Sequence, residues 1–314
     1  MPRRIRLRVV TGLVVGVAFA LVAPRAQEAA RTRIVLLGTG TPNATPDRWG
    51  PATAIVVGDT PYLVDAGVGI VRRAAAARAE GVEALRASNL RRLFVTHLHS
   101  DHTLGYPDLI FSGWTLDRDV PLEAYGPPGL EAMTRNLLAA YREDIDIRLE
   151  GGEPSNPNGW KVNVHEIAPG VVYKDDLVTV EAFAVPHGAW EHSFGFKFTT
   201  PDGVVVLSGD TGPFDGMAEV AKGADVLIHE AYATAGLEKR EPEWQKYHAA
   251  YHTSGRRVGE IAAKAGVPTV ILSHQLWWSA SEEQLVEEVR STFGGRVISG
   301  RDLDVFDLRG LARR

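Results

Sequence analysis

"THLHSDHTLG", residues 96–105, places three histidines and an aspartate between His97 and His102, in a chain with ten histidines among 314 residues. The run before it, Leu90–Thr96, reads as a strand entering a core. Side chains alternate faces along a strand, so a continued strand would project His97, His99 and Asp101 the same way. A turn into a helix at Thr103–Leu104 would bring His102 round to the same cavity. Buried imidazoles and carboxylates are costly unless each finds a partner, so four of them at one strand-to-helix turn call for a shared one.

Other strand-like runs end in residues of the same kind. "AVPH" ends at His187, "LSGD" at Asp210, "LIHE" at Glu230 and "ILSH" at His274. Functional groups gather on the loops at one end of a sheet scaffold, and these ends carry weight together that none carries alone. The chain has no cysteine, which removes both disulfides and thiolate ligands. A metal would be held by imidazole and carboxylate, a donor set suited to zinc, manganese or iron.

From Thr32 onward strand-like and helical patterns alternate. Strands are expected at "RIVLLGTG", "TAIVVG", "PYLVDAG" and "RRLFVTH" in the first half. "WKVNVHEIA", "LVTVEAFAVPH", "SFGFKFTT", "GVVVLSGD", "ADVLIHEA", "PTVILSH" and "RVISGRDLDVFDL" follow in the second. Helices are expected at Ile70–Glu80, Pro128–Tyr141, Thr253–Ala265 and Ser281–Phe293, the last opened by a capping box from Ser279 to Glu282. Pro201-Asp202-Gly203 supplies a hairpin turn, and residues 150–160 a surface loop. With no sequence repeat and no boundary, residues 32–310 read as one α+β domain of two packed sheets and outer helices.

The start of the chain has a different character. Met1–Arg8 holds four arginines, and Val9–Ala23 follows without a charge. Residues 1–26 are therefore expected to be a secretory signal peptide or, uncleaved, an N-terminal anchor, since the apolar stretch is short of the about 20 residues of a membrane span. The expected location is periplasmic or secreted. Removing its five arginines takes the formal net charge from −5 to −10. So acidic a chain argues against nucleic acid as a partner, because such binding rests on phosphate neutralisation.

The run His97–His102 resembles the His-x-His-x-Asp-His marker of the metallo-β-lactamase superfamily, and the nearest likeness is to its ribonuclease Z branch. "LLGTGTPNATPDRWGPA", "LVDAGVG", "AYGPPGL", "LSGDT", "ADVLIHEA" and "HTSGRRVGEIAAKAGVPTVILSH" are similar to that branch's motifs, in order. The resemblance implies a four-layer αββα sandwich with two divalent metal ions, zinc before manganese or iron, at one edge. It implies that His97, His99 and His187 hold one ion, that Asp101, His102 and His274 hold the other, and that Asp210 bridges them. His192, five residues beyond His187, is the rival for that position. Asp65 is expected to orient a ligand imidazole or fix its turn. A water shared by two such ions loses a proton near neutral pH and becomes the nucleophile of a hydrolase.

Three residues are assigned to catalysis: Asp101, also a ligand, and the pair Glu230–His252 from the motifs "HEA" and "HTS". A Glu230 carboxylate is expected to hold His252 protonated at the start of the helix from Thr253, ready to protonate a departing alkoxide. Phosphodiesters with poor leaving groups need such an acid. The reading is therefore an exported phosphodiesterase, or an arylsulfatase-like enzyme, acting on small ester substrates. Ribonuclease Z holds tRNA with a glycine-rich basic arm, whereas residues between Arg148 and Val180 here are acidic and rich in Asn, Pro and Gly. The alternatives are tRNA 3′-processing itself, carbonyl hydrolysis of the lactonase or β-lactamase kind, and a non-catalytic scaffold. Beyond the possible anchor no membrane partner is expected, and a homo-oligomer is left open. Trp160, Trp190, Trp277 and Trp278 are candidates to line a substrate pocket, whereas His165 and His248 read as surface or packing residues.

Overall fold

The computed structural model describes residues 31–312; the leader expected at 1–26 lies outside them. In chain order the first sheet gathers β1 (Thr32–Gly38), β2 (Ala52–Val57), β3 (Thr60–Val64), β4 (Arg92–Phe94), β5 (Leu122–Gly126) and β6 (Val162–Glu166). The second gathers β7 (Gly170–Lys174), β8 (Thr179–Ala184), β9 (Phe194–Thr200), β10 (Gly203–Leu207), β11 (Val226–Tyr232), β12 (Thr269–Leu276) and β13 (Arg296–Ser299). Finally β14 (Val305–Asp307) crosses back to pair antiparallel with β1. Each sheet thus has seven strands, ordered β14-β1-β2-β3-β4-β5-β6 and β13-β12-β11-β10-β9-β8-β7.

Both sheets follow one plan. From β14 in one and from β7 in the other, three antiparallel pairings lead into three parallel ones. This is a repeat of topology that no repeat of residues announces. Parallel strands need crossover connections, and the helices that supply them cover the outer faces.

Burial on both faces explains the unbroken apolar runs. On β1, Ile34 and Leu36 face the second sheet, among Phe94, Phe196, Phe198 and Ile228. Val35 and Leu37 face outward against Ile70, Ala74 and Leu109 of the covering helices Ile70–Ala79 and Tyr106–Thr115. On the far side Val206, Leu227 and Val270 pack against Val258 and Ile261 of the helix Gly255–Ala265 and Leu285 of Glu282–Arg290. The result is the expected helix–sheet–sheet–helix sandwich.

Phe94 sits at the centre of the seam between the sheets, edge-on to Phe196 and Phe198 and stacked on Tyr125. Phe94→Ala is expected to cost about 3–5 kcal/mol of stability, read from the denaturant midpoint. A loss below about 1 kcal/mol would show that the seam collapses around the gap.

Some expectations are revised. "RVISGRDLDVFDL" is two strands, β13 and β14, in different sheets. The capping box is formed by Ser281 and Gln284 and does not involve Ser279 or Glu282 as its pair. The helix expected from Thr253 starts at Gly255, with the Ser254 side chain accepting from the Arg257 N–H. The hairpin at residues 201–203 does join β9 to β10, with Thr200 opposite Gly203. The loop 151–161 is anchored by Arg118, a buried guanidinium that donates to the carbonyls of Leu90, Leu109, Ile110 and Gly159. No helix among the described residues is long and apolar enough to cross a membrane.

Candidate metal centre

β4 ends at Phe94, so strand alternation does not orient the histidine run. Residues 95–99 are irregular, and His99 caps a short helix, Ser100–Thr103. Asp65 is the cause. Its carboxylate accepts from the Thr96 N–H at 2.8 Å and the Thr96 hydroxyl at 3.0 Å, holding the chain in its curve. The same carboxylate lies 2.8 Å from His102 Nδ1, the orienting role expected of it. Asp65 has φ 61°, a left-handed conformation that a non-glycine residue keeps only where its surroundings enforce it.

Each remaining residue arrives from the second sheet, in or just after one of its strands. His187 follows β8, Asp210 follows β10 and His274 lies within β12 at φ 48°. Gly209 turns the chain into Asp210 at φ 61°, where a Cβ would stand 2.5 Å from the Phe194 carbonyl oxygen. Only glycine suits that turn.

Two sets of atoms that could hold a metal ion result. His97 Nε2 and His187 Nε2 lie 2.9 and 3.1 Å from His99 Nδ1. Asp101 Oδ2 lies 3.2 Å from His274 Nε2 and 3.5 Å from His102 Nε2. Asp210 Oδ2 lies 3.5 Å from His102 Nε2 and 3.4 Å from His274 Nε2 of the second set, and a carboxylate oxygen of Asp210 lies within 4.8 Å of the His97 ligand nitrogen of the first. Within His97–His99–His187, and within Asp101–His102–His274, the ligand atoms lie no more than 4.8 Å apart. His192, the rival for the position of His187, is exposed, whereas His187 is fully buried.

This donor set fits divalent cations. The buried His102 Nε2 has no hydrogen-bond partner. His187 Nδ1 is held 2.8 Å from the Tyr251 carbonyl and His97 Nδ1 3.0 Å from the Thr96 hydroxyl, which turns each Nε2 inward. Burial holds His97 well below the usual imidazole pKa and lowers His99 and His187 to about 4, so all three are neutral, the form that ligates. Asp210 remains a carboxylate, because His274 and His102 outweigh its burial.

Beside these groups, Glu230 Oε2 lies 3.3 Å from His252 Nδ1, and Glu230 Oε1 accepts from the Thr253 N–H at 2.7 Å. Two expectations about this pair change. His252 ends the helix Pro242–Tyr251 and does not begin one, so the helix dipole favours its protonation. Burial is the larger effect: it lowers His252 to about 4 and pushes Glu230 well above the usual carboxylate range. Burial thus disfavours a carboxylate–imidazolium pair, and among the described residues neither Glu230 Oε2 nor His252 Nδ1 has a hydrogen-bond partner across the 3.3 Å between them.

A cavity of about 300 Å³ opens over Asp101, His252 and His274. It is lined by Trp244, Tyr247 and His248 of the helix Pro242–Tyr251 and by Trp278, whose ring centre lies 4.7 Å from that of His248. Sequence reading overlooked this helix, none of whose residues is fully buried, and His248 lines the cavity where a surface or packing role was expected. Of the candidate tryptophans, Trp278 lines the cavity, Trp277 an adjoining cleft, and Trp190 packs edge-on to His99. Trp160 lies elsewhere, in the loop before β6, where Lys161 approaches its ring. His165 stacks on Tyr125 and meets Glu123, as a packing residue would.

The buried neutral histidines give a pH dependence. His99, His187 and His229 have pKa values lowered to about 4 by burial, against about 6.5 in an unfolded chain. The unfolded state therefore binds more protons between those values, and ion-free protein loses stability as pH falls from about 6.5 toward 4. In His102 and His274 burial is outweighed by Asp210, so these act in the opposite sense, at higher pH. Denaturant midpoints at pH 7.5, 6 and 5 would expose the fall; a flat profile would contradict it.

Comparison with known proteins places this geometry. A model of the Beta-lactamase superfamily domain matches residues 60–275. A ribonuclease Z from Mycobacterium bovis (strain BCG / Pasteur 1173P2) is 33% identical over 276 residues, covering 86% of this chain and 96% of the relative. One from Mycobacterium sp. (strain KMS) is 36% identical over 245 residues, 77% and 84% of the two chains. Among solved structures, human tRNase Z, short form, superposes with a TM-score of 0.67 at 22% identity, covering 88% of this chain and 99% of its own. A metallo-beta-lactamase fold protein from Bacillus subtilis gives 0.69 at 18% identity, covering 88% and 99%. These likenesses correct one expectation: nucleic acid is not set aside as a partner, since the similar proteins are named as ribonucleases. Net charge averages over the whole surface, whereas phosphate contacts depend on the local lining of one cleft.

Proposed function

Because this chain belongs to the metallo-β-lactamase superfamily, we propose that it is a ribonuclease of the ribonuclease Z kind, hydrolysing phosphodiester bonds in RNA with two bound divalent ions. At the coarser level it is a superfamily hydrolase whose fold binds divalent metal. The observation that carries the finer reading is the Glu230–His252 pair beside the ligand cluster, a proton donor placed for a poor leaving group.

His97, His99, His187, Asp101, His102, His274 and Asp210 would hold the ions, which supply Lewis acidity toward phosphoryl oxygen and acidify water. The chain's own residues do the rest. His252 gives its Nε2 proton to the departing sugar oxygen, and Glu230 returns one at Nδ1, so the ring is neutral before and after. Trp244, Tyr247 and Trp278 limit bulk water above the reacting bond. Carbonyl substrates with stable leaving groups have no use for this relay.

Between Arg148 and Val180, where the resemblance to ribonuclease Z would place a basic arm, the chain forms the end of the helix Arg142–Glu150, the loop 151–161, β6, β7 and the start of β8. We assign RNA binding to the cleft beside the metal centre instead. The leader expected at 1–26 supports export as part of this proposal, and full-length protein retained in the cytoplasm would refute it.

The deciding assay gives metal-loaded protein a tRNA precursor with a 3′ extension, beside an aryl phosphodiester, an aryl sulfate, a lactone and a β-lactam. The expected result is cleavage of the RNA and the diester. Intact RNA together with faster turnover of the sulfate, lactone or lactam would overturn the reading.

A further inference from the structure

Past the metal-centre cavity lies a second cleft, of about 510 Å³, sharing Asn43, Arg240 and Trp278 with it. Its lining includes Arg48, Lys239 and Arg240 and no carboxylate, in a chain of formal net charge −5. Local charge there is opposite in sign to that of the molecule.

The three cations are not equivalent. Arg48 is committed: it donates to the Thr39 hydroxyl at 2.9 Å and the Gly300 carbonyl at 2.7 Å, meets Glu282 and stacks over Trp277. Arg240 is positioned, and its guanidinium meets no carboxylate within 4.0 Å among the described residues. Its guanidinium lies 5.5 Å from the ring centre of Trp244 and 5.8 Å from that of Trp278, and its buried Nε has no partner. Two aromatic faces hold the planar group at the boundary of the two cavities and leave its donors to a ligand. Lys239, exposed one residue earlier, meets no carboxylate within 4.0 Å among the described residues.

We infer that this cleft is a subsite for the phosphate next to the scissile one, read by Arg240 with Lys239 as its second contact. A guanidinium presents the fork that matches a phosphate's oxygens. Asn43 and the Trp278 ring line the passage from the scissile position. The inference rests on the proposed RNA substrate and adds to it the means of telling a polynucleotide from an isolated diester.

Direct binding tests it without turnover. The probes are two dinucleotides made non-cleavable by a methylene group in place of the bridging leaving oxygen. One carries terminal phosphates at both ends and the other carries none. The metal-loaded protein is expected to bind the phosphorylated probe about tenfold more tightly at low salt, the scale of one charge-assisted hydrogen bond. The log–log salt slope should steepen by roughly 0.7 for each phosphate engaged. Lys239→Gln and Arg240→Gln should each narrow the difference between probes, and together erase it; with Lys239→Gln, which lies outside the metal-centre cavity, binding of the bare probe should stay unchanged within about twofold. Lys239 is exposed, so its variant tests the idea even if Arg240→Gln disturbs the tryptophans.

Equal binding of the two probes, or equal weakening of both in the variants, would overturn the subsite. So would inorganic phosphate that cancels the difference at concentrations near the probe's own Kd, which would mark a site for the free anion. If RNA is not cleaved yet the probes still differ, the subsite stands and the reaction alone is misassigned.

Discussion

Asp210→Ala is expected to abolish turnover of every substrate, by more than about 10³-fold, equivalent to about 4 kcal/mol in the barrier. The reason is position. Asp210 reaches both candidate sets: Oδ2 lies within 3.5 Å of His102 Nε2 and 3.4 Å of His274 Nε2, and a carboxylate oxygen lies within 4.8 Å of the His97 ligand nitrogen. Its loss also leaves those two imidazoles buried with less negative charge to balance them, although each keeps Asp101 nearby. Metal content should therefore fall together with activity when measured by elemental analysis after dialysis. Two ions retained per chain with activity intact would remove Asp210 from the centre.

His252→Ala carries the second large effect, and its signature is selectivity. The ring stands 3.3 Å from Glu230 and belongs to neither of the two proposed three-residue sets, although its ligand nitrogen also lies within 4.8 Å of those of Asp210 and His274; if the proposed sets hold the ions, both should remain. What is lost is a proton for the leaving oxygen. An aryl diester with a p-nitrophenolate leaving group needs little help and should slow only modestly. A nucleoside diester should slow by about 10²-fold or more, about 2.7 kcal/mol. Glu230→Gln should show the same ranking in a weaker form, because an amide can still donate to Nδ1. Equal losses on both diesters with metal content unchanged would end the general-acid role. A fall in metal content would instead make His252 a ligand or the support of one.

The centre was legible because its chemistry is concentrated in residue types that cores avoid. His97, His99, Asp101 and His102 lie within six positions, and His187, Asp210 and His274 stand at the ends of apolar runs. Their orientation was not legible. Asp65, 31 residues before Thr96, bends the chain away from strand geometry, and no local pattern records so distant a hydrogen bond. The helix Pro242–Tyr251 escaped for another reason. Amphipathic periodicity comes from packing on a core, and this helix stands over a cavity with none of its residues fully buried. The balance of protons between Glu230 and His252 likewise depends on burial supplied by other strands. Net charge misled for the opposite reason, since one number cannot show a cleft lined by Arg48, Lys239 and Arg240.

The shared plan of the two sheets has a consequence for how the molecule comes into being. His97, His99, Asp101 and His102 belong to the first seven-strand unit, and His187, Asp210 and His274 to the second. Synthesis delivers the first set early, and its seat for metal stays unfinished until His274 has left the ribosome. An ion held by the proposed ligands would be a rivet through both halves. Pulling the halves apart would then mean breaking coordination bonds on one side or the other, so that release of metal and opening of the seam would become a single event.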